Sequence, residues 1–211
     1  MLRITEIFYS LQGETNTVGL PTVFIRLTGC PLRCQYCDTD YAFSGGSKML
    51  QEEILAKVAE YKSKYVTVTG GEPLAQKACI PLLSALCDSG YIVSLETSGA
   101  IDVRQVDLRV VKILDLKTPA SGEVDKNLYE NIKYLTPHDQ IKFVICNRGD
   151  YDWAKKIISE YALANQFEVL FSPSHEELPA KDLAQWILQD HLPVRLQIQL
   201  HKYIWGNERG R

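Results

Sequence analysis

Tyr65-Val66-Thr67-Val68-Thr69-Gly70-Gly71-Glu72-Pro73 is the stretch that decides the architecture. A short run rich in β-branched residues reads as a strand, and Gly-Gly before an acid and a proline ends it abruptly. The same unit recurs on both sides. Strands are expected at 23–28, 92–96, 110–116, 140–145, 168–171 and 194–199, and helices at 50–61, 75–88, 126–134, 150–164 and 180–189. Short apolar strands alternating with amphipathic helices make βαβ units, hence an α/β fold with a mainly parallel sheet. Seven strands with few long helices imply a reduced, partial (β/α) barrel. No repeat or low-complexity segment interrupts the 211 residues, which fit one domain over 1–211.

Ligands of such sheets sit at the carboxyl ends of the strands. Those positions are unusual in this chain. Gly29-Cys30 follows the first strand, Gly70-Gly71-Glu72-Pro73 the second, and Glu96-Thr97-Ser98-Gly99 closes the third. Asp115-Leu116-Lys117, Ser172-Pro173-Ser174-His175, and Gln199 with His201 follow later ones. Polar, glycine-rich and metal-binding residues therefore gather at one rim.

Composition narrows the partners. With 45% hydrophobic and 23% charged residues and a net charge of −3, the chain lacks the basic stripe of a nucleic-acid binder. Residues 1–10 alternate apolar and polar side chains and carry no secretory apolar region, and no apolar run approaches a membrane span. A cytoplasmic protein without membrane or nucleic-acid partners is expected. In that compartment its six cysteines stay reduced, which favours metal over disulfides.

Three of the six lie in Cys30-Pro31-Leu32-Arg33-Cys34-Gln35-Tyr36-Cys37, a C-x3-C-x2-C loop. A structural zinc site closes with a fourth ligand, and ferredoxin clusters use four thiolates. Here the next cysteine, Cys79, falls in a helical pattern and no histidine occurs before His138. Three ligands leave one iron open, the mark of a centre that binds a reactant. Cys79, Cys87 and Cys146 are spaced for burial.

With an aromatic before the third cysteine, this loop resembles the radical S-adenosylmethionine (SAM) family, and the fold it implies is that family's partial barrel. The resemblance implies a 4Fe-4S cluster on Cys30, Cys34 and Cys37, whose open iron chelates the methionine part of SAM and starts radical chemistry. Gly70-Gly71-Glu72-Pro73 looks like the family's GGEP motif, with the Glu72 carboxylate receiving the methionine ammonium. Tyr36 to Asp38, Glu96, Gly99, Asp115, Leu116, Lys117 and Ser172 to His175 match further cofactor segments. Asp115 and Lys117 equally read as a pair with each other at the strand end.

Within that family, Ser10-Leu11-Gln12-Gly13-Glu14, Cys37-Asp38-Thr39 and His201-Lys202-Tyr203-Ile204-Trp205-Gly206 resemble the 7-carboxy-7-deazaguanine synthases over essentially the whole chain. Those lyases contract 6-carboxy-5,6,7,8-tetrahydropterin to 7-carboxy-7-deazaguanine with loss of ammonia, on the route to queuosine and other deazapurines. The resemblance implies substrate contacts at Gln12, Gly13, Glu14, Arg26, Thr97 and His201, and Mg2+ on the Thr39 hydroxyl. It also implies a homodimer and a flavodoxin- or ferredoxin-type reductant. Chemically, Gln12 suits an amide edge, Glu14 the donors of an aminopyrimidinone, and Arg26 a carboxylate. Taken alone, Arg26 also reads as a solvated strand-edge charge, Thr39 as a turn hydroxyl or helix N-cap, and His201 as a packed strand-end residue. Two rivals stay open: an activase that makes a glycyl radical on a partner protein, and an iron–sulfur electron-transfer module without enzyme activity.

Overall fold

The computed structural model describes residues 1–175 and 177–210. Among them the strands are β1 (Leu2–Leu11), β2 (Pro21–Leu27), β3 (Ser47–Met49), β4 (Tyr65–Gly70), β5 (Ile92–Thr97), β6 (Val111–Asp115), β7 (Gln140–Ile145), β8 (Glu168–Pro173) and β9 (Arg195–Leu196). The helices are α1 (Gln51–Ala59), α2 (Cys79–Asp88), α3 (Arg148–Glu160), α4 (Ala180–Gln189) and α5 (Leu200–Trp205). All nine strands join one sheet in the order β3-β1-β2-β4-β5-β6-β7-β8-β9. From β2 to β9 every pairing is parallel; β1 runs antiparallel to both its neighbours. β3 and β9 are left as edges, so the barrel is partial and open.

Alternation along each parallel strand separates two environments. Val23, Ile25 and Leu27 of β2, Val66 and Val68 of β4, and Ile141, Phe143 and Ile145 of β7 are buried in one apolar cluster. Leu82, Leu83 and Leu86 of α2 and Tyr151, Ala154 and Ile157 of α3 belong to the same cluster. The intervening residues face the concave side and are largely polar: Arg26, Thr69, Glu96, Asp115, Lys142 and Ser172 all border a single pocket there.

Four local outcomes differ from the sequence expectation. β1 and β3 are additional strands. The alternation of residues 1–10 is that of a half-buried strand, with Leu2 and Ile4 at 2% and 3% exposure. Residues 124–134 form 3-10 turns (Val124–Lys126 and Tyr129–Tyr134) in place of a helix at 126–134. Two asparagines explain this, because their side chains bind backbone elsewhere and compete with helical hydrogen bonding. Asn127 accepts from Lys117 N at 2.8 Å and donates to Lys117 O at 2.8 Å. Asn131 donates to Gly99 O and Ile101 O and accepts from Val103 N.

The tail differs most. The expected strand 194–199 shrinks to two residues, and His201 lies on α5 instead of a strand end. Gln197 is pulled inward: it accepts from Thr15 N at 2.8 Å and donates to Glu14 at 3.3 Å. Leu200 N then donates to Gly13 O at 3.0 Å. Those bonds draw the chain off the sheet edge and across the mouth of the trough.

Candidate active site

At the carboxyl ends of the strands lies a pocket of about 640 Å3, a volume suited to a small molecule. Cys30, Cys34 and Cys37, in the connection leaving β2, form part of its wall. Their loop is held from several sides. Arg33 Nη1 donates to Cys30 O at 2.8 Å and Leu32 O at 2.6 Å, and Gln35 N to Ser121 O at 3.0 Å. Gly71 N donates to Leu27 O at 3.1 Å and Glu72 N to Gly29 O at 2.8 Å. A side chain at Gly71 has no room, since its Cβ would fall 2.8 Å from Cys30 Cβ.

Burial pushes all three thiols above their ordinary value, with the Lys117 ammonium opposing it in each case. Among the described residues, no three His, Cys, Asp or Glu side chains converge on a single-ion position. The three thiols on one tight loop suit a cluster with one open iron better than a zinc site, which closes with a fourth ligand.

Glu72 differs from what the motif implies. It is fully buried and lies off the pocket wall. Its carboxylate accepts from Leu74 N (3.0 Å), Thr97 Oγ1 (2.9 Å), Ser98 N (2.7 Å) and Ser98 Oγ (2.6 Å). A carboxylate so supplied has its charge satisfied inside the protein. What this turn presents to the pocket is the Gly70-Gly71 backbone, while Glu72 ties it to the end of β5. Thr97 borders the pocket but spends its hydroxyl hydrogen on Glu72.

Asp115 and Lys117 do pair, at 3.0 Å. Burial alone would depress the Lys117 ammonium; Asp115, then Tyr36 and Cys34, more than offset this and hold it above its ordinary value. Lys117 Nζ lies 5.8 Å from the centroid of the Tyr36 ring. Asp115 Oδ1 and Tyr36 Oη are buried without a partner among the described residues. Orphaned polar atoms beside the cysteine loop leave hydrogen-bonding capacity for a bound polar cofactor. Ser172, Pro173, Ser174 and His175 border the pocket; Gly99 and Leu116 lie behind its wall.

Away from the cysteines, Gln12, Gly13, Glu14, Arg26 and His201 line the same cavity. Gln12 turns into the protein: Nε2 donates to Thr67 Oγ1 at 3.1 Å and Oε1 accepts from Glu14 N at 3.3 Å. Arg26 donates through Nε to Glu6 at 2.7 Å, and its guanidinium lies against Phe8 and Tyr41. This bond leaves its terminal nitrogens available. Thr39 stands at the N-cap of the 3-10 turn Asp40–Ala42, but its hydroxyl makes no capping bond and donates to Asp38 Oδ1 at 2.9 Å instead. Asp38 Oδ2 in turn accepts from Gln199 at 3.1 Å and Lys202 at 2.9 Å, which fastens the tail to the cysteine loop.

His201 packs directly on Gly13, where a Cβ would fall 2.9 Å from its Cγ and closer still to Nδ1. Burial pushes its imidazole below the ordinary value, against the pull of Glu14 and Asp38. Gly13→Ala should therefore displace His201 and lower kcat/KM by roughly 10- to 100-fold, the scale of an ångström-sized misplacement. Steady-state kinetics at unchanged iron content checks this; wild-type kinetics would show that His201 can sit elsewhere.

Sequence reasoning missed Glu6, Tyr41, Lys142 and Gln197. Lys142 was findable: in Gln140-Ile141-Lys142-Phe143-Val144-Ile145 it shares the inward phase with Gln140. Glu6, Tyr41 and Gln197 give no comparable local signal, since partners distant in sequence bring them to the site.

The model of the radical SAM superfamily matches residues 24–169. A 7-carboxy-7-deazaguanine synthase of Koribacter versatilis is 46% identical, with 98% of each chain covered. One from Chlorobaculum tepidum is 44% identical over 97% of this chain and 94% of its own. Among solved structures, QueE from Escherichia coli superposes with a TM-score of 0.76 at 22% identity, covering 94% of this chain and 93% of that one. SuiB of Streptococcus suis reaches 0.59 at 14% identity over 84% of this chain and 48% of its own. Full-length relatedness at this level, on a sheet whose strand ends carry the three-cysteine loop, makes the chain a member of the radical SAM superfamily and, within it, of the 7-carboxy-7-deazaguanine synthase family.

Proposed function

We propose that this chain catalyses the ring contraction of 6-carboxy-5,6,7,8-tetrahydropterin to 7-carboxy-7-deazaguanine with release of ammonia. The observation that carries this reading is one cavity bordered by the three cysteines at one end and by Glu14, Arg26 and His201 at the other. Membership of the family implies a 4Fe-4S cluster and SAM. Cys30, Cys34 and Cys37 would hold the cluster, and the Gly70-Gly71 backbone, Asp115, Tyr36 and Ser172 to His175 would cradle the cofactor. When bound, that pair supplies a carbon-centred radical able to take hydrogen from an unactivated C–H bond.

This chain's own residues bind, orient and shield. Arg26 would take the substrate carboxylate with its terminal nitrogens, while Glu6 and the Phe8 and Tyr41 rings fix its plane. Glu14 would accept from the aminopyrimidinone. The Thr39 hydroxyl has lone pairs to offer Mg2+, with waters and substrate oxygens completing the shell. His201 and the tail pinned to Asp38 would exclude water from the reacting carbon.

A flavodoxin- or ferredoxin-type donor would supply the electron in a reducing cytoplasm. A homodimer belongs to the same reading.

The direct test incubates reconstituted protein with SAM, Mg2+, a low-potential reductant and carboxytetrahydropterin in the absence of oxygen. Product with one equivalent of ammonia is expected. Reductive cleavage of SAM without product would sink the substrate assignment while leaving the family intact.

A further inference from the structure

Lys142 sits mid-strand on β7, in the inward phase, and its ammonium reaches the cavity beside Glu14. The two side chains form an ion pair, 13% and 9% exposed, that joins residues 128 positions apart. Gln197 Nε2 also donates to Glu14, so one carboxylate oxygen, Oε2, takes both Lys142 and Gln197. Among the described residues Oε1 takes no hydrogen bond, which leaves it for a ligand. Among the described residues Glu14 is the sole hydrogen-bond partner of Lys142 Nζ, which leaves two of its three donors unspent.

Desolvating an ammonium and a carboxylate costs more than an apolar pair of the same size, so stability gives no reason for this pair. Recognition does. A pyrimidinone edge presents N–H donors next to a carbonyl acceptor. Glu14 Oε1 can accept from the first, but the residue suited by sequence to the carbonyl, Gln12, has turned its amide onto Thr67 and the Glu14 backbone.

We infer that Lys142 reads the carbonyl oxygen of the substrate's pyrimidinone ring, forming with Glu14 a carboxylate–ammonium edge that recognises this half of the substrate. The inference rests on the proposed pterin substrate. Burial and the Glu14 charge raise Glu96, which also borders the cavity, above its ordinary value. Burial alone would depress the Lys142 ammonium, yet Glu14, Asp115 and Glu96 hold it above its ordinary value. The donor is thus charged at neutral pH, which strengthens a hydrogen bond to a carbonyl.

The test compares wild type with Lys142→Met, Lys142→Arg and the double variant Glu14→Gln/Lys142→Met, each loaded with cluster. Lys142→Met should lower kcat/KM for carboxytetrahydropterin by about 100-fold, carried mainly by KM, the scale of a lost charge-assisted hydrogen bond. Iron content of Lys142→Met should match wild type, because the three cysteines lie in the connection leaving β2 and Lys142 lies mid-strand on β7. Lys142→Arg should recover part of the loss. If Lys142 only balances the Glu14 charge, the double variant regains activity, and that recovery would overturn the inference. So would a Lys142→Met enzyme with wild-type kcat/KM. Wild-type protein that cleaves SAM but never turns over the pterin would instead fault the proposed function.

Discussion

Cys34→Ala is expected to yield a folded protein that holds no complete cluster, cleaves no SAM and makes no product. The effect on chemistry is total because two thiolates cannot retain a cluster that needs three protein ligands. The effect on the fold should be small. Cys34 lies in a loop outside the apolar cluster, and its thiol is only half-buried. Neighbouring backbone contacts, such as Cys37 N to Cys34 O at 3.2 Å and Gln35 N to Ser121 O at 3.0 Å, do not involve the side chain. Thermal unfolding of the apoprotein should therefore match wild type, while iron content and visible absorbance fall to background. Cys79→Ala is the paired control. Cys79 is buried on α2, where burial pushes its thiol up to about 12, and its removal should leave iron content unchanged. Full iron and product in Cys34→Ala would refute the cluster assignment.

The second large effect belongs to Gly71→Ala. The added carbon would fall 2.7 Å from the carbonyl carbon of Gly29 and 2.8 Å from Cys30 Cβ. Its neighbours there include backbone, which cannot swing aside as a long side chain would. Either the cysteine loop moves outward or the turn after β4 does, and the bond from Glu72 N to Gly29 O is stretched. Overpacking of this kind costs about 1–3 kcal/mol. Displacement of the first cysteine matters more: a shift of about 1 Å can cost on the order of 100-fold in rate. Iron retention after gel filtration and the rate of SAM cleavage would both report it. Gly71→Ala with wild-type values for both would mean that the turn does not set the loop's position.

The readable and unreadable parts of this chain divide along physical lines. β2 and β4 to β8 were legible because each has one face sealed against helices, which demands closely spaced branched residues. β3 was not, since Ser47-Lys48-Met49 pairs with β1 at an edge and its first two residues are exposed. The 124–134 turns turned on what Asn127 and Asn131 bind, and those partners lie up to 32 residues away. In the site, spacing alone marked the three cysteines, because a tight loop brings its own ligands together. The motif around Glu72 marked the right turn but not the direction of the carboxylate. Its four donors come from Leu74, Thr97 and Ser98, and only the parallel pairing of β4 with β5 brings the last two within reach.

The two environments on either side of the sheet bear on how this chain tolerates change in length. Each parallel strand interleaves two messages, one residue for the helices and the next for the cavity. Losing a single residue within β7 would exchange them on one side of the gap, turning residues such as Lys142 toward the helices or Phe143 toward the cavity. Stability and chemistry would fail together. Insertions in the connections leave the phase of every strand intact, so drift in length has its room there and not in the strands.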